Sequence, residues 1–277
     1  MKYENITPIY LLSFIVMSWL LNAHALDASA DNSAPRPHCS VPFASITPQV
    51  DADQSDKAWN SSVAIPSLSS SLGSPVGQNV QPTEVQLLWD KDYLYVRFRC
   101  RASEIYSPYK NHDDPIYKAD VVEVFIDAKG DGRQWVEIEL SPYGVTLENM
   151  TTLTADLVSN SDLIIDPQIR DRDYWPNASW DMPGLRTASK IVQGAGHASL
   201  WIADFAFPAG ATLHRLGLKE YLPMTLRANF LRYDYPIVDS AGTRVLCPQN
   251  WAPVIIGCPH ISPAAMGYVD LLPRSSP

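Results

Sequence analysis

The stretch Asp120–Pro142 of this 277-residue chain reads DVVEVFIDAKGDGRQWVEIELSP and decides the fold prediction. Residues alternate in polarity on both sides of a glycine-containing turn, which is typical of a β-hairpin. Successive side chains of a strand point to opposite faces, so each strand of this hairpin has one apolar side. The apolar sides consist of Val122, Val124 and Ile126, then Val136, Ile138 and Leu140. The opposite side carries Glu123, Glu137 and Glu139, which makes it a candidate for function.

Short alternating segments continue on both sides of this hairpin. Glu84–Trp89 and Tyr93–Arg101 flank an Asp-Lys-Asp turn. The later segments of this kind are Leu200–Phe207, Leu226–Tyr233 and Gly267–Leu272. The chain has 23 prolines, and helical periodicity is limited to a turn or two in residues 211–221. The pattern predicts an all-β fold, namely a single-domain antiparallel β-sandwich of two sheets, jelly-roll or immunoglobulin-like.

The N-terminal residues predict export. An apolar run, LLSFIVMSWLL, is followed by Ala23-His24-Ala25. We expect residues 1–25 to be a signal peptide cleaved after Ala25, with a retained membrane anchor as the alternative. Residues 26–45 are small, polar and proline-containing, and predict a flexible leader before a domain at residues 46–273. The mature protein is expected to be secreted or periplasmic, with no membrane contact after cleavage.

The four cysteines are Cys39, Cys100, Cys247 and Cys258. An even number of cysteines in an exported chain predicts one or two disulfides. Cys247 and Cys258 flank a short loop and are the favoured pair, although three connectivities remain open. No C-x-x-C spacing is present, which argues against a zinc template.

The charge balance narrows the class of partner. The formal net charge is -9, and no cluster of Lys and Arg occurs in the sequence. Nucleic acid and anionic membrane surfaces both require a basic face. The composition therefore argues against either partner.

We expect the polar sides of two hairpins to form one face. The candidate face comprises Tyr95, Arg97, Arg99, Glu123, Phe125, Trp135, Glu137 and Glu139. Three interpretations remain open: a solvated surface with cross-strand ion pairs, a sugar-binding surface, and a catalytic pair of Glu123 with Glu137 or Glu139. The large rings argue against a purely solvated surface. The arginines argue against catalysis, because they would keep the carboxylates ionised, whereas a general acid needs a raised pKa. No catalytic residue is predicted.

The loops contain further candidates. Trp175 and Trp180, in DYWPNASW, are candidates for an exposed aromatic platform, and Trp251 is undecided between platform and core. Tyr106, Tyr109 and Tyr117 lie in another loop and are similar candidates. The tryptophans expected in the core are Trp59, Trp89 and Trp201.

The turn of the opening hairpin offers a weak metal prediction. Asp127 and Asp131 could bind calcium, but a hairpin turn explains both residues without metal. No other cofactor motif is present in the sequence, so we predict no cofactor beyond that calcium.

Five motifs, in order, resemble the family 9 carbohydrate-binding modules over residues 49–272. They are Val50–Asp53 with Asp56, Ala58 and Trp59; Trp89–Val96; Asp120–Asp127; Glu137–Gly144; and Trp201–Pro208, in which Asp204 stands where glutamate is usual. Arg227–Phe230, Trp251, His260 and Gly267 are similar to the closing segments of the family.

The resemblance implies a non-catalytic β-sandwich that binds chain ends of cellulose or xylan, and soluble sugars, between two aromatic rings. It also implies structural calcium in several members and association with secreted hydrolases of plant cell walls. Tyr117 matches the first ring and Glu123 a ligand-contacting glutamate, while Met266 lies near the place of the second ring and Glu137 near that of an arginine. The predicted carbohydrate-binding residues are Tyr117, Glu123, Glu137, Trp175, Trp180 and Trp251.

Two other functions remain as alternatives. One is a glycoside hydrolase that uses Glu123 with Glu137 or Glu139. The other is a haem-binding redox module of the same fold, with axial ligands such as Met266, Met224 or His260.

Overall fold

The computed structural model describes residues 36–70, 81–153, 174–177, 179–194, 199–252 and 266–274. The strands are β1 (His38–Val41), β2 (Val63–Ile65), β3 (Ser69–Ser70), β4 (Thr83–Trp89), β5 (Tyr93–Ala102), β6 (Val121–Asp127), β7 (Gln134–Leu140), β8 (Thr146–Leu153), β9 (Tyr174–Asn177), β10 (Arg186–Gln193), β11 (Ser199–Pro208), β12 (Thr225–Val238), β13 (Arg244–Asn250) and β14 (Gly267–Leu271). One short helix, α1 (Ala209–Thr212), and 3₁₀ turns at Lys57–Ser61, Ile116–Lys118 and His214–Leu216 complete the described elements. None of the helices in these ranges is long and apolar enough to cross a membrane. The predicted signal peptide lies outside the described residues.

Two sheets form the fold. The larger sheet has nine strands, with the order β1-β14-β12-β6-β7-β8-β9, and β13 and β3 extend from β12. The smaller sheet has five strands in the order β10-β11-β5-β4-β2. All these pairs are antiparallel except β1 with β14, which is parallel. The predicted antiparallel β-sandwich is confirmed.

The opening hairpin is β6 and β7, and its apolar side faces the other sheet. Val124 pairs with Ile138 and Val122 with Leu140, and all four are fully buried. The same core contains Phe98 of the small sheet, whose ring centroid lies 6.4 Å from that of Phe230 on β12. Each fully buried side chain of this size contributes roughly 1.5–3 kcal/mol, so the core between the sheets holds the sandwich together.

The turn between β6 and β7 is fixed by Asp127. Its Oδ1 accepts the N–H of Gly130 at 2.8 Å, and its Oδ2 accepts the N–H of Gly132 at 2.7 Å. Both glycines have positive φ, +70° and +67°, a conformation that residues with a Cβ rarely adopt. Asp127 and the two glycines therefore set the register in which Glu123 and Glu137 are placed.

The domain begins earlier than the sequence predicted. The leader was expected to extend over residues 26–45, but His38–Val41 form β1 and pair with Tyr268–Leu271. Cys39, Val41 and Ala44 are buried. Only four residues alternate here, between prolines, so the pattern was too short to indicate a strand.

No disulfide joins the cysteines of the described residues to one another. Cys39, Cys100 and Cys247 are all buried, and burial raises the pKa of the Cys100 thiol to about 12. Cys258 lies outside the described residues. The Cys247–Cys258 disulfide therefore stays a prediction.

Candidate functional site

The single polar face expected from the two hairpins is in fact two separate faces. Arg97 and Tyr95 lie on β5 of the small sheet, whereas Glu123 and Glu137 lie on β6 and β7 of the large sheet. The inner faces of both sheets pack into one core, so these polar residues point away from each other, on opposite outer surfaces of the sandwich. The alternation within each hairpin was correct. The assignment of the two hairpins to one face was wrong, because period-two patterning does not say which sheet a strand joins.

The outer face of the small sheet contains a buried ion pair between Arg97 and Asp204. Arg97 makes two hydrogen bonds to Asp204 on β11, from Nε to Oδ1 at 2.7 Å and from an Nη to Oδ2 at 2.8 Å. Asp204 also accepts the N–H of Ala52 at 2.9 Å, and the guanidinium of Arg97 lies 4.5 Å from the ring centre of Trp59. Both charged side chains are at most 1% exposed. The ion pair is therefore buried and bonded within the fold.

The outer face of the large sheet carries the carboxylates, and we call it the carboxylate face. It is defined by Glu123, Phe125, Trp135, Glu137 and Glu139, none of which is more than 3% exposed. Glu123 lies directly opposite Glu139, and Phe125 lies opposite Glu137. The interpretation as a solvated surface is therefore wrong for these residues. The cross-strand pair therefore places two carboxyl groups side by side on the same buried face as Phe125 and Trp135.

Three further polar residues lie on the carboxylate face. Asn149 on β8 faces Glu137 and donates from Nδ2 to Glu137 Oε2 at 3.1 Å. Arg227 on β12 faces Asp127, and Asn229 faces Phe125. Asn229 makes two hydrogen bonds to the backbone of Ala252. Its Nδ2 donates to the Ala252 carbonyl, and its Oδ1 accepts the Ala252 N–H. Sequence reasoning quoted Arg227 and Asn229 within a motif but did not place them here, because their neighbours are distant in the chain.

Four tyrosines border the Glu123–Glu139 end of the carboxylate face, and we call them the tyrosine rim. They are Tyr109, Tyr117, Tyr233 and Tyr235, and all four are half-buried, so each exposes part of its side chain. Tyr235 Oη donates to the Tyr117 carbonyl at 3.0 Å. Burial, together with the nearby charges of Glu123, Asp120 and Glu139, raises the pKa of Tyr235, so its hydroxyl stays protonated. The rim joins exposed ring surface to buried carboxylates.

Asp120 attaches the loop that carries Tyr109 and Tyr117 to the large sheet. Its Oδ2 accepts the N–H of Tyr106 at 2.7 Å, and its Oδ1 accepts the N–H of Tyr235 at 2.9 Å. Burial, reinforced by Asp234, raises the pKa of the Asp120 carboxyl to about 6, although both N–H groups and Arg232 oppose the shift. The position of Tyr117 thus depends on a buried carboxyl group.

Comparison with known proteins supports the family resemblance that the sequence motifs indicated. Residues 50–175 match the family model described as "Carbohydrate family 9 binding domain-like". Residues 50–175 are therefore similar to a family 9 carbohydrate-binding module. No curated protein matches the chain significantly.

Solved structures of similar fold include two family 9 modules. A family 9 module from Caldicellulosiruptor kristjanssonii in complex with cellotriose is 16% identical, with a TM-score of 0.57, covering 86% of this chain and 95% of that one. A family 9 module of the same organism in complex with glucose is also 16% identical, with a TM-score of 0.57, covering 87% of this chain and 98% of that one. A protein from Bacteroides uniformis is 13% identical, with a TM-score of 0.62, covering 86% of this chain and 100% of that one. At these identities the likeness shows the fold alone.

Of the predicted platform residues, Trp180 lies away from the carboxylate face, and so does Trp251, which the sequence left undecided. Trp180 and Trp251 are half-buried and pack against the core between the sheets. The ring centroid of Trp251 lies 5.3 Å from that of Phe230, on the inner face. Trp175 lies in β9, and its side chain is outside the described residues. By contrast, Trp59, Trp89 and Trp201 are buried, as predicted.

The two described candidates for haem ligands, Met266 and Met224, are separated in the structure. Met266 is buried against Phe125 and Trp135 on the outer side of the large sheet. Met224 packs against the core between the sheets, and His260 lies outside the described residues. The two described methionines therefore belong to different hydrophobic clusters and do not form an axial pair.

The turn between β6 and β7 does not offer calcium a set of free carboxylate oxygens. Both oxygens of Asp127 accept backbone N–H groups. Asp131 receives two hydrogen bonds from Arg215, at 3.0 and 2.9 Å, and Lys129 lies 3.4 Å away. A calcium ion takes six to eight oxygen ligands, which these engaged carboxylates do not supply. The structural calcium stays a prediction without a ligand set at this turn.

Proposed function

We propose that this domain binds β-linked polysaccharide or oligosaccharide, of the cellulose or xylan type, at the tyrosine rim and the adjoining end of the carboxylate face. The observation that carries the proposal is the junction of partly exposed tyrosine rings with the buried glutamate pair Glu123 and Glu139. On the outer face of the small sheet, by contrast, Arg97 and Asp204 satisfy each other.

The chemistry of the junction suits a sugar ring. The axial C–H groups of a β-linked pyranose present an apolar surface that packs against an aromatic ring such as that of Tyr117. Its hydroxyl groups can donate to carboxylate oxygens, and hydrogen bonds to a charged acceptor contribute about 1.5–3 kcal/mol each. Glu123 is the first acceptor next to the rim, and Glu137 and Asn149 extend the polar surface further along the sheet.

The solved family 9 modules with this fold are in complex with cellotriose and glucose, which supports a glucose-containing ligand here. We place the function in carbohydrate catabolism, outside the cytoplasm in the secreted or periplasmic space, beside secreted hydrolases that degrade the same polysaccharide. The net charge of -9 disfavours nucleic acid as a competing ligand.

Calorimetric titration with cello- and xylo-oligosaccharides tests the proposal. The Glu123→Gln variant keeps the size of the side chain but removes the charged acceptor, so affinity should fall by about 1.5–3 kcal/mol. Glu84→Gln, on the small sheet and partly exposed, is the matched control and should leave affinity unchanged. Absence of binding by the unaltered chain, or an equal loss in both variants, would reject the proposal.

Glycoside hydrolysis is the second candidate, because Glu123 and Glu139 occupy one cross-strand pair. Directly opposed Cβ atoms lie about 4.5–5.5 Å apart, a spacing compatible with the roughly 5–5.5 Å between carboxyl groups of retaining glycosidases. The arginines that argued against this interpretation, Arg97 and Arg99, lie on the other sheet. Release of reducing sugar by the unaltered chain, abolished in both Glu123→Gln and Glu139→Gln, would establish hydrolysis in place of simple binding.

A further inference from the structure

Three metal-ligating side chains converge away from the carboxylate face. His112 Nε2 lies 2.9 Å from Asp181 Oδ1 and 3.5 Å from Asp113 Oδ1. The three ligand atoms lie within 4.8 Å of one another, and they form the only such group found in the described part of the chain. His112 and Asp181 are 69 positions apart, so only the fold brings them together.

The spacing of these atoms matches that of ligands on one metal ion. Zinc binds imidazole nitrogen at about 2.0–2.1 Å and carboxylate oxygen at about 2.0–2.2 Å. Two ligand atoms at such distances, with angles of roughly 90–120° at the metal, are separated by about 2.9–3.6 Å. The two distances from His112 Nε2 fall in this interval. Little movement of the side chains is needed to admit an ion.

Strand β8 holds both halves of the group in place. Thr146 on β8 contacts His112 Nδ1 through Oγ1 at 3.0 Å, and its carbonyl accepts the N–H of Asp113 at 3.0 Å. Two residues along β8, Glu148 accepts the N–H of Met182, the neighbour of Asp181, at 2.6 Å. When Nδ1 donates to Thr146, the lone pair of Nε2 is directed towards the two carboxylates. Such second contacts to a ligating histidine orient it for metal binding.

We propose that His112, Asp113 and Asp181 form a binding site for a divalent transition-metal cation, with Zn²⁺ as the reference ion. The mixed nitrogen and oxygen set selects this class, because imidazole suits zinc, copper and nickel, whereas calcium and magnesium prefer oxygen ligands alone. The three side chains are between 37% and 69% exposed, so water can enter and complete the coordination. The bound ion links the loop that carries Tyr109 and Tyr117 to the turn that follows β9.

The test is titration of the full chain, without an added histidine tag and after treatment with a chelator, with Zn²⁺ in a calorimeter. We expect one saturable site and a melting temperature that rises with zinc concentration, since a ligand specific to the folded state stabilises it. Ca²⁺ and Mg²⁺ at the same concentrations should give neither signal. Co²⁺ should give visible d–d absorption that zinc abolishes by competition.

Matched variants distinguish the site from surface association. His112→Ala and Asp181→Asn should abolish saturable binding, while His214→Ala, another exposed histidine, should leave it intact. Thr146→Val removes the contact to Nδ1 and should weaken binding by about 10–100-fold. Equal zinc binding by His112→Ala and the unaltered chain would overturn the proposal. Calcium binding that survives His112→Ala but is lost in Asp181→Asn would overturn it as well, in favour of an oxygen-only site. Both results are independent of whether the chain binds sugar.

Discussion

The two outer faces of the sandwich differ in the residue that lies opposite a buried acidic side chain. On the small sheet, Asp204 faces Arg97 with two hydrogen bonds and takes a third from Ala52. On the large sheet, Glu123 faces another glutamate, Glu139, at an equally buried position. The first arrangement is complete within its own side chains. The second places two carboxyl groups opposite each other, beside tyrosine rings that remain partly exposed.

The difference separates a structural role from a binding role. A buried ion pair with all its hydrogen bonds made has nothing to offer a ligand, and losing one partner leaves a buried charge. Carboxylates gathered beside aromatic surface are unfavourable for stability but useful to a ligand rich in hydroxyl groups. We therefore expect substitutions on the small-sheet face to change folding, and substitutions on the large-sheet face to change binding.

The largest effect is expected for Asp204→Ala. The change leaves the Arg97 guanidinium buried without its carboxylate, which costs about 3–5 kcal/mol of unfolding free energy. Urea unfolding measures it. The double variant Arg97→Met with Asp204→Leu removes both charges and should recover most of the loss. A loss below about 1 kcal/mol in Asp204→Ala would remove the structural half of the comparison.

The next effect concerns pH and the loop beside the carboxylate face. The pKa of Asp120 is about 6 in the folded protein, against an ordinary value of 3.8. Between these two pH values the folded state therefore binds more protons than the unfolded state. Stability is then greatest below about pH 4 and is lost as the pH rises through 6, by about 3 kcal/mol for this group.

Urea unfolding from pH 4 to pH 7 measures this dependence. Asp120→Asn should flatten the profile, while Asp114→Asn, an exposed carboxyl whose backbone hydrogen bonds lower its pKa, should not. An unchanged profile in Asp120→Asn would show that Asp120 does not control the slope.

A smaller effect is expected at the tyrosine rim. Tyr117→Ala removes a partly exposed ring and should weaken oligosaccharide binding by about 1–2 kcal/mol, with little change in melting temperature. Tyr93→Ala, a half-buried tyrosine on the small sheet, is the control and should not affect binding. If Tyr117→Ala instead lowers the melting temperature and leaves binding intact, the rim is a packing feature.

The smallest effect sharpens the comparison within the small sheet. Arg99 and Glu84 form an ion pair at 3.7 Å whose side chains are 30% and 37% exposed. Arg99→Ala should cost only about 0.2–1 kcal/mol, because solvent screens the pair. The loss should disappear in about 1 M salt, where the Debye length is near 3 Å. A loss comparable to that of Asp204→Ala would show that burial is not what distinguishes the two pairs.

The sequence predicted local structure well and long-range arrangement poorly. The hairpins β4–β5 and β6–β7 were predicted because alternation and turn residues are local signals. The core positions of Trp59, Trp89 and Trp201 followed from their strand context. Tyr233 and Tyr235 were missed as site residues, because only the pairing of β12 with β6 brings them to Glu123. The group of His112 and Asp181 was missed for the same reason.

The parallel pairing of β1 with β14 has a mechanical consequence. His38 lies beside Tyr268 and Val41 beside Leu271, so the first and last described strands run side by side in the same direction. A force that pulls β1 by its N-terminal end and β14 by its C-terminal end slides the strands past each other. Their hydrogen bonds then bear the load together, in shear, and do not open one after another as in a zipper. An anchored domain under tension is therefore expected to resist extension at this edge.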